Sequence, residues 1–213
     1  MPTKPANYGV WWNTNKLDER WYKQIHEPRG LVHAAFLDWV ARTEQSDGPF
    51  ASVLEVGCGR GVVYPEVFSR RGCTYTGHDV SEKEIAWCQE HKVLPGVSFV
   101  SGDFITDLTL GRFDLVFAHA VIDHVYDADA FLARMVRAAT RWVYVTAYKS
   151  WNPQLQAHRY AWDEKSTCFY NDLSPDRLRE QLARLGCSDV RVEAFTADAQ
   201  PVLRETLIVA RTH

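Results

Sequence analysis

The sequence is short of several things, and each shortage narrows what the chain can be. Lysine and arginine total 24 against 27 aspartates and glutamates, a formal net charge of -3. The broad basic face that a phosphate backbone selects for is therefore missing, and nucleic acid is not expected as a partner. No apolar run approaches the ~18 residues of a membrane span, and Met1 to Val10 lacks the basic start and apolar run of a secretion signal. A cytoplasmic protein with no membrane partner is the expectation. The five cysteines, Cys58, Cys73, Cys88, Cys168 and Cys187, form no C-x-x-C pair. Free buried thiols in a reducing compartment account for them most simply. There is no internal repeat, low-complexity tract or linker.

What is present reads as one unit. A chain of 213 residues buries one full core, so a single domain over 1–213 is expected, with 1–48 as an N-terminal arm and cap helices. Pro2, Pro5, Tyr8, Gly9, Trp11 and Trp12 follow no period, which predicts an irregular arm too aromatic to be a loose tail. Leu17 to Glu44 has a helical pattern broken at Pro28, predicting two helices, the second with a stripe of Leu31, Ala34, Ala35, Leu37 and Val40.

Strands and helices then alternate. Strands are predicted at Ala51–Val56, Cys73–His78, Val97–Ser101, Phe113–Ala118 and Trp142–Tyr148, and helices at Val62–Arg71, Ser81–Lys92 and Ala128–Ala139. The first three strands lack clean alternation, as parallel strands covered on both faces do. Ser81 with Glu84 forms a capping box, and Ser174 before Pro175 starts a further helix that Gly186 closes. Val190–Phe195 and Arg204–Ala210 follow without a helix between them and should pair antiparallel at the sheet edge. Residues 150–172 show no period and are too long for a plain connection, which makes them a candidate substrate loop.

The most informative stretch is Glu55-Val56-Gly57-Cys58-Gly59-Arg60-Gly61, a buried strand running into a glycine-rich turn. Glycine there permits positive φ and lets backbone approach a ligand, and a following helix would offer unpaired N–H groups. A dinucleotide fingerprint needs G-x-G-x-x-G, but the third glycine comes one residue early, at Gly61, which weakens a dehydrogenase reading. The next strand ends at Asp79, a carboxylate able to accept from ribose hydroxyls at the carboxyl edge of the sheet. Its alternative role is a helix cap, which Ser81 already supplies.

Together with Gly102-Asp103-Phe104 and Phe113-Asp114-Leu115-Val116-Phe117, these segments resemble the class I S-adenosylmethionine-dependent methyltransferases of small-molecule type, strongly over about residues 50 to 150. The resemblance implies an α/β, Rossmann-like, doubly wound seven-stranded sheet, mostly parallel with the last strand antiparallel, under an N-terminal helical cap. It implies S-adenosyl-L-methionine as donor and S-adenosyl-L-homocysteine as product. By position it places Gly57, Cys58, Gly59 and Gly61 around the methionine part, and Glu55 among the cofactor-binding residues. Asp79 then falls on the ribose, Val80 against the adenine, and Asp103 with Phe104 at the adenine amino group and ring. Phe104 reads equally well as core.

Methyl transfer from a sulfonium is an in-line displacement, so positioning and water exclusion supply much of the catalysis, and a base is needed only for a hydroxyl acceptor. His119-Ala120-Val121-Ile122-Asp123-His124 follows the fourth strand, where the reactive methyl belongs. His119, Asp123 and His124 are the catalytic candidates, His119 also touching the cofactor. His124 could instead be a hydrogen-bonded helix-start residue. Asp123, His124 and Asp127 match no strong metal spacing, and no metal is expected. The acceptor is expected to be a hydroxyl, or an amine, of a small organic molecule. An Asn/Asp-Pro-Pro-aromatic motif of amino-methylating enzymes is replaced here by Ala118-His119-Ala120-Val121. A macromolecule methyltransferase and a non-catalytic cofactor-binding regulator are the rivals. Trp11, Trp12, Trp21, Trp151 and Trp162 are candidate walls of the acceptor site, and His158, Arg159, Tyr160, Tyr170 and Asn171 its candidate specificity groups.

Overall fold

A computed structural model describes residues 3–14, 30–149, 151–196 and 204–213. The first predicted cap helix and Trp21 lie outside the described residues. Within them the chain forms α1 (Val10–Thr14), α2 (Gly30–Asp47), β1 (Ser52–Val56), α3 (Pro65–Arg70), β2 (Thr74–Asp79), α4 (Glu82–His91), β3 (Val97–Ser101) and β4 (Phe113–His119). There follow α5 (Ala128–Ala138), β5 (Ala139–Ala147), β6 (Arg159–Asp163), β7 (Cys168–Asp172), α6 (Pro175–Arg184), β8 (Ser188–Thr196) and β9 (Arg204–Arg211).

Seven strands make one sheet in the order β3-β2-β1-β4-β5-β9-β8. The β1, β2, β3, β4 and β5 pairings are parallel, and β9 runs antiparallel to both β5 and β8. This is the expected doubly wound sheet with its last strand reversed. Neighbouring positions of a strand feed opposite cores. Leu54, Val116 and Val143 join α5 and α6 on one side, while Val53, Leu115 and Tyr144 join α2 and α4 on the other. Both faces being covered explains the missing alternation.

The register of the sheet brings the ends of β1, β2 and β4 together. Val56 pairs with His78 on one side and Ala118 on the other, so the turns after these three strands open into one crevice at the carboxyl edge. Ser81 caps α4 by accepting from the Glu84 amide at 3.3 Å, and Ser174 caps α6 by accepting from Arg177 at 3.3 Å, as the sequence predicts.

Three expectations need correction. The helix after the glycine turn starts at Pro65 and not at Val62. A proline at the first helical position sets φ and lacks only an N–H that would be unsatisfied anyway, so the glycine turn is longer and its helix shorter. On α2 the buried residues are Val32, His33, Phe36, Trp39, Val40 and Thr43, while Leu31 and Ala34 face outward. The bulk of Phe36 and Trp39 turns the helix so that their rings pack on Phe117, Tyr144 and Phe50. Within 150–172, Arg159–Asp163 and Cys168–Asp172 pair as an antiparallel hairpin. Its strands carry no clean alternation: Asn171 shares one face with Tyr160, Trp162 and Phe169, and the other mixes Ala161, Cys168 and Tyr170 with Arg159, Asp163 and Asp172.

Gly77, inside β2, is a packing glycine. A Cβ there would stand 2.7 Å from Phe99 Cδ1 and 2.8 Å from Cys58 Sγ. Gly77→Ala should therefore destabilise the protein by roughly 1–3 kcal/mol in denaturant titration. Gly77→Ala combined with Phe99→Leu should recover part of that loss, whereas strict additivity would place the strain elsewhere.

Candidate active site

The crevice holds a cavity of about 490 Å³ whose walls include Glu55, Gly57, Gly59, Asp79, Asp103 and His124, within the range of small-ligand sites. Its floor is the glycine turn. Gly57 has φ +77°, and a Cβ on it would lie 2.2 Å from Val121 Cγ2. Only a residue without a side chain lets the turn after β1 and the turn after β4 close on each other. The Gly57 and Cys58 amides both donate to the His78 carbonyl, at 2.7 and 3.2 Å, which pins the turn to β2. Gly61, at φ +56°, would place a Cβ 2.9 Å from Pro65 Cγ. Behind the turn, Arg60 Nε donates to Glu84 at 2.6 Å and its guanidinium lies over the Trp87 ring at 4.9 Å.

Two carboxylates face the crevice from β2 and from the turn after β3. Asp79 accepts the Gly59 amide on Oδ2 and the Ser81 amide on Oδ1, both at 2.9 Å. Burial raises its pKa against those two amides, which lower it. Each oxygen keeps a further lone pair for a ligand hydroxyl. Asp103 lines the cavity too, and its Oδ2 receives Lys4 Nζ at 2.7 Å and the Tyr126 hydroxyl at 3.0 Å. Phe104 is core as well as wall: it is 5% exposed and packs against His78 and Phe131. Glu55, on β1, accepts from the Tyr75 hydroxyl, and burial pushes its pKa up to about 8.

The turn after β4 separates the catalytic candidates. His124 lines the cavity with Nδ1 2.8 Å from the Phe169 carbonyl. A carbonyl only accepts, so Nδ1 carries the proton in the neutral ring and Nε2 is the basic nitrogen. Burial and the nearby Lys149 charge lower its pKa, opposing the Phe169 bond. His119 also lines the cavity, with Nδ1 3.0 Å from Thr146 Oγ1 and its ring stacked on Tyr64. A hydroxyl can donate or accept, so either His119 tautomer is compatible.

Asp123 does not join them. It is fully buried, and its carboxylate accepts the Tyr148 and Lys149 amides, both at 3.1 Å, which anchors the end of β5. Asp127 caps α5 through the Ala130 amide. Among the described residues no three histidine, cysteine, aspartate or glutamate side chains are grouped to hold a metal ion.

The N-terminal arm reaches the cavity through Tyr8 and Trp12. Trp11 instead uses its backbone amide on Thr167, Trp151 meets Arg179, and Trp162 packs on Phe169. Of the polar groups in 150–172, His158 accepts the Ser174 amide, Arg159 pairs with Asp172, and Tyr160 accepts the Ala128 amide. Tyr170 flanks His124. His33 of α2, Tyr148 after β5 and Glu205 of β9 also line the cavity. Sequence reasoning passed over them because no local motif marks a residue brought in from a distant element.

Residues 54–141 match the family described as Methyltransferase domain. The ubiquinone biosynthesis O-methyltransferase of Pseudomonas syringae pv. tomato is 28% identical over 137 residues, 62% of this chain and 53% of that protein. The protein of that name from Rhizobium leguminosarum bv. trifolii is 38% identical over 92 residues, 40% of this chain and 36% of its own. The chain thus spans about half the length of the first of these relatives. Magnesium protoporphyrin IX methyltransferase of Synechocystis, solved with bound S-adenosylmethionine, superposes with TM-score 0.65 at 17% identity, covering 96% of this chain and 90% of that one. Burkholderia thailandensis 1,6-didemethyltoxoflavin-N1-methyltransferase gives 0.60 at 19% identity, covering 88% and 89%.

Residues 54–141 carry the match to a methyltransferase domain, and the solved proteins that share the fold include one holding S-adenosylmethionine. The residues present fit it. A Cβ-free turn floors the cavity, carboxylates stand at Asp79 and Asp103, and the volume suits a nucleoside-sized ligand.

Two outcomes follow for the donor side. Asp79→Ala should weaken S-adenosylhomocysteine binding at least tenfold in calorimetry, about 1.5–3 kcal/mol; unchanged affinity would remove Asp79 from the donor site. Because the folded pKa of Glu55 lies above its unfolded value, the stability it contributes is full below about pH 4.5 and is lost as pH rises through about 8. Glu55→Gln should flatten that decline by about 2–5 kcal/mol in denaturation measured from pH 5 to 9, and a wild-type curve level across that window would contradict the raised value.

Proposed function

We propose that this chain transfers the methyl group of S-adenosylmethionine to a hydroxyl of a small, planar organic molecule. The observation that carries the reading is His124, a wall of the donor cavity whose Nδ1 is committed to the Phe169 carbonyl, leaving Nε2 as proton acceptor. A hydroxyl must lose its proton as it attacks, and a neutral histidine within reach is the usual means. The O-methyltransferase names of the curated relatives support the same acceptor atom.

When bound, the donor supplies an electrophilic methyl on a sulfonium. The chain's own residues supply the rest. The Gly57 turn and Asp79 hold and orient the donor, and His124 takes the acceptor proton. The Tyr8, Trp12 and Tyr148 rings line the cavity, cover the acceptor and exclude water. His119, held at Thr146 and stacked on Tyr64, shapes the acceptor side rather than serving as base. A cytoplasmic location and an acceptor that is neither nucleic acid nor membrane lipid complete the reading; no helix among the described residues is long and apolar enough to cross a membrane.

The test is incubation with methyl-labelled S-adenosylmethionine and a panel of phenols, catechols and matching anilines, followed by mass spectrometry. Label on the hydroxyl compounds is expected, and label confined to the anilines would overturn the acceptor assignment. With the best acceptor, His124→Gln should keep S-adenosylhomocysteine affinity within about threefold and lose roughly 10² to 10⁴ in kcat. A variant turning over within a few-fold of wild type would leave positioning as the mechanism.

A further inference from the structure

The hairpin β6–β7 does something other than line a substrate loop. Its second strand lies along the turn that carries His124. The Asn171 amide donates to the Asp123 carbonyl at 2.7 Å, and the Phe169 amide faces the His124 carbonyl at 3.4 Å. Asn171 is fully buried, and its side-chain Nδ2 donates to the Ile122 carbonyl at 3.0 Å and to the Val125 carbonyl at 2.7 Å. Those two carbonyls bracket Asp123 and His124. The backbone that carries His124 is thus gripped on both sides by one amide, which has two N–H groups to give and spends both.

The same strand sets the ring. Phe169, two residues before Asn171, offers the carbonyl that receives His124 Nδ1. If β7 slid or swung by a bond length, that carbonyl would leave the ring and the Nδ1–H preference would go with it. Between them, Asn171 fixes where the His124 backbone stands and the Phe169 carbonyl fixes which nitrogen carries the proton. The groups facing the imidazole are Tyr148, Tyr170, Cys168, the Trp12 ring and the Lys149 charge. Cys168 Sγ stands 3.6 Å from the same Nδ1, and because a thiol accepts as well as donates it is compatible with Nδ1–H, which the Phe169 carbonyl requires.

We infer that Asn171 is a positioning residue for the reaction, holding β7 against the β4–α5 turn so that His124 presents an unprotonated Nε2 to the cavity. Asn171 does not line the cavity and touches the donor side nowhere, so its effect reaches the chemistry only through His124. This rests on the role given to His124 above, but its test does not need an acceptor.

The experiment is nitrogen-15 NMR of the imidazole groups in the full chain saturated with S-adenosylhomocysteine, with His124 assigned from the spectrum of His124→Gln. In wild type the His124 signals should be those of the Nδ1–H tautomer, with Nε2 bare. An Nε2–H tautomer would overturn the inference whatever the variants do. In Asn171→Ser, which keeps one donor, and in Asn171→Ala, the two nitrogens should shift toward tautomer averaging while S-adenosylhomocysteine affinity stays within about threefold. Should the alanine variant fail to fold, the serine variant and the wild-type spectrum still decide. A folded Asn171→Ser with an unchanged His124 spectrum would show that Asn171 is structural only. Loss of methyl transfer to all hydroxyl acceptors with the wild-type tautomer intact would instead count against the function proposed for the site, not against this positioning.

Discussion

The whole site depends on one close approach, that of the turn after β1 to the turn after β4 at Gly57. Any side chain there would occupy the space of Val121 Cγ2, and the positive φ would add strain of its own. Because the turns meet, Gly59, Asp79 and the histidines at 119 and 124 share a single cavity. Opening that contact would leave each group intact and separate them, since none of the hydrogen bonds that fix His124 comes from the glycine turn.

Around this contact the structure uses backbone groups as much as side chains. Asp79 ties Gly59 to the start of α4, Asp123 ties the turn after β4 to the end of β5, and Asn171 ties it to the hairpin. Each sets side-chain polar atoms against backbone amides or carbonyls, and leaving such buried partners unmet costs about 1–3 kcal/mol apiece. The arm is held in the same way. The Gly9 amide donates to the Thr167 carbonyl at 2.9 Å, the Trp11 amide to Thr167 Oγ1 at 2.8 Å, and Ser81 Oγ to the Trp12 carbonyl at 3.1 Å. One hairpin therefore holds both the arm that borders the cavity and the histidine turn beside it.

What could be read from the sequence was what is local. The glycine turn, the acidic residue at the end of β2, the caps at Ser81 and Ser174 and the reversed last strand each follow from residues within a few positions of one another. The crevice wall that these elements form was legible for that reason. Asp123 was misplaced because its spacing beside two histidines looks like a catalytic cluster, while its carboxylate's partners are the amides of Tyr148 and Lys149, far along the chain. Asn171 could not be ranked for the converse reason: the carbonyls it holds belong to residues 122 and 125. His33, Tyr148 and Glu205 enter the cavity from α2, the end of β5 and β9, and no pattern near them announces it. The start of α3 was misjudged although Pro65 carried the signal.

The most direct measurement is a crystal structure of the full chain with S-adenosylhomocysteine. The account predicts the ribose hydroxyls on Asp79, the adenine edge beside Asp103, and the sulfur turned toward the wall formed by His119 and His124, with His124 Nδ1 still on the Phe169 carbonyl. A nucleoside bound elsewhere, or a sulfur pointing away from both histidines, would contradict it.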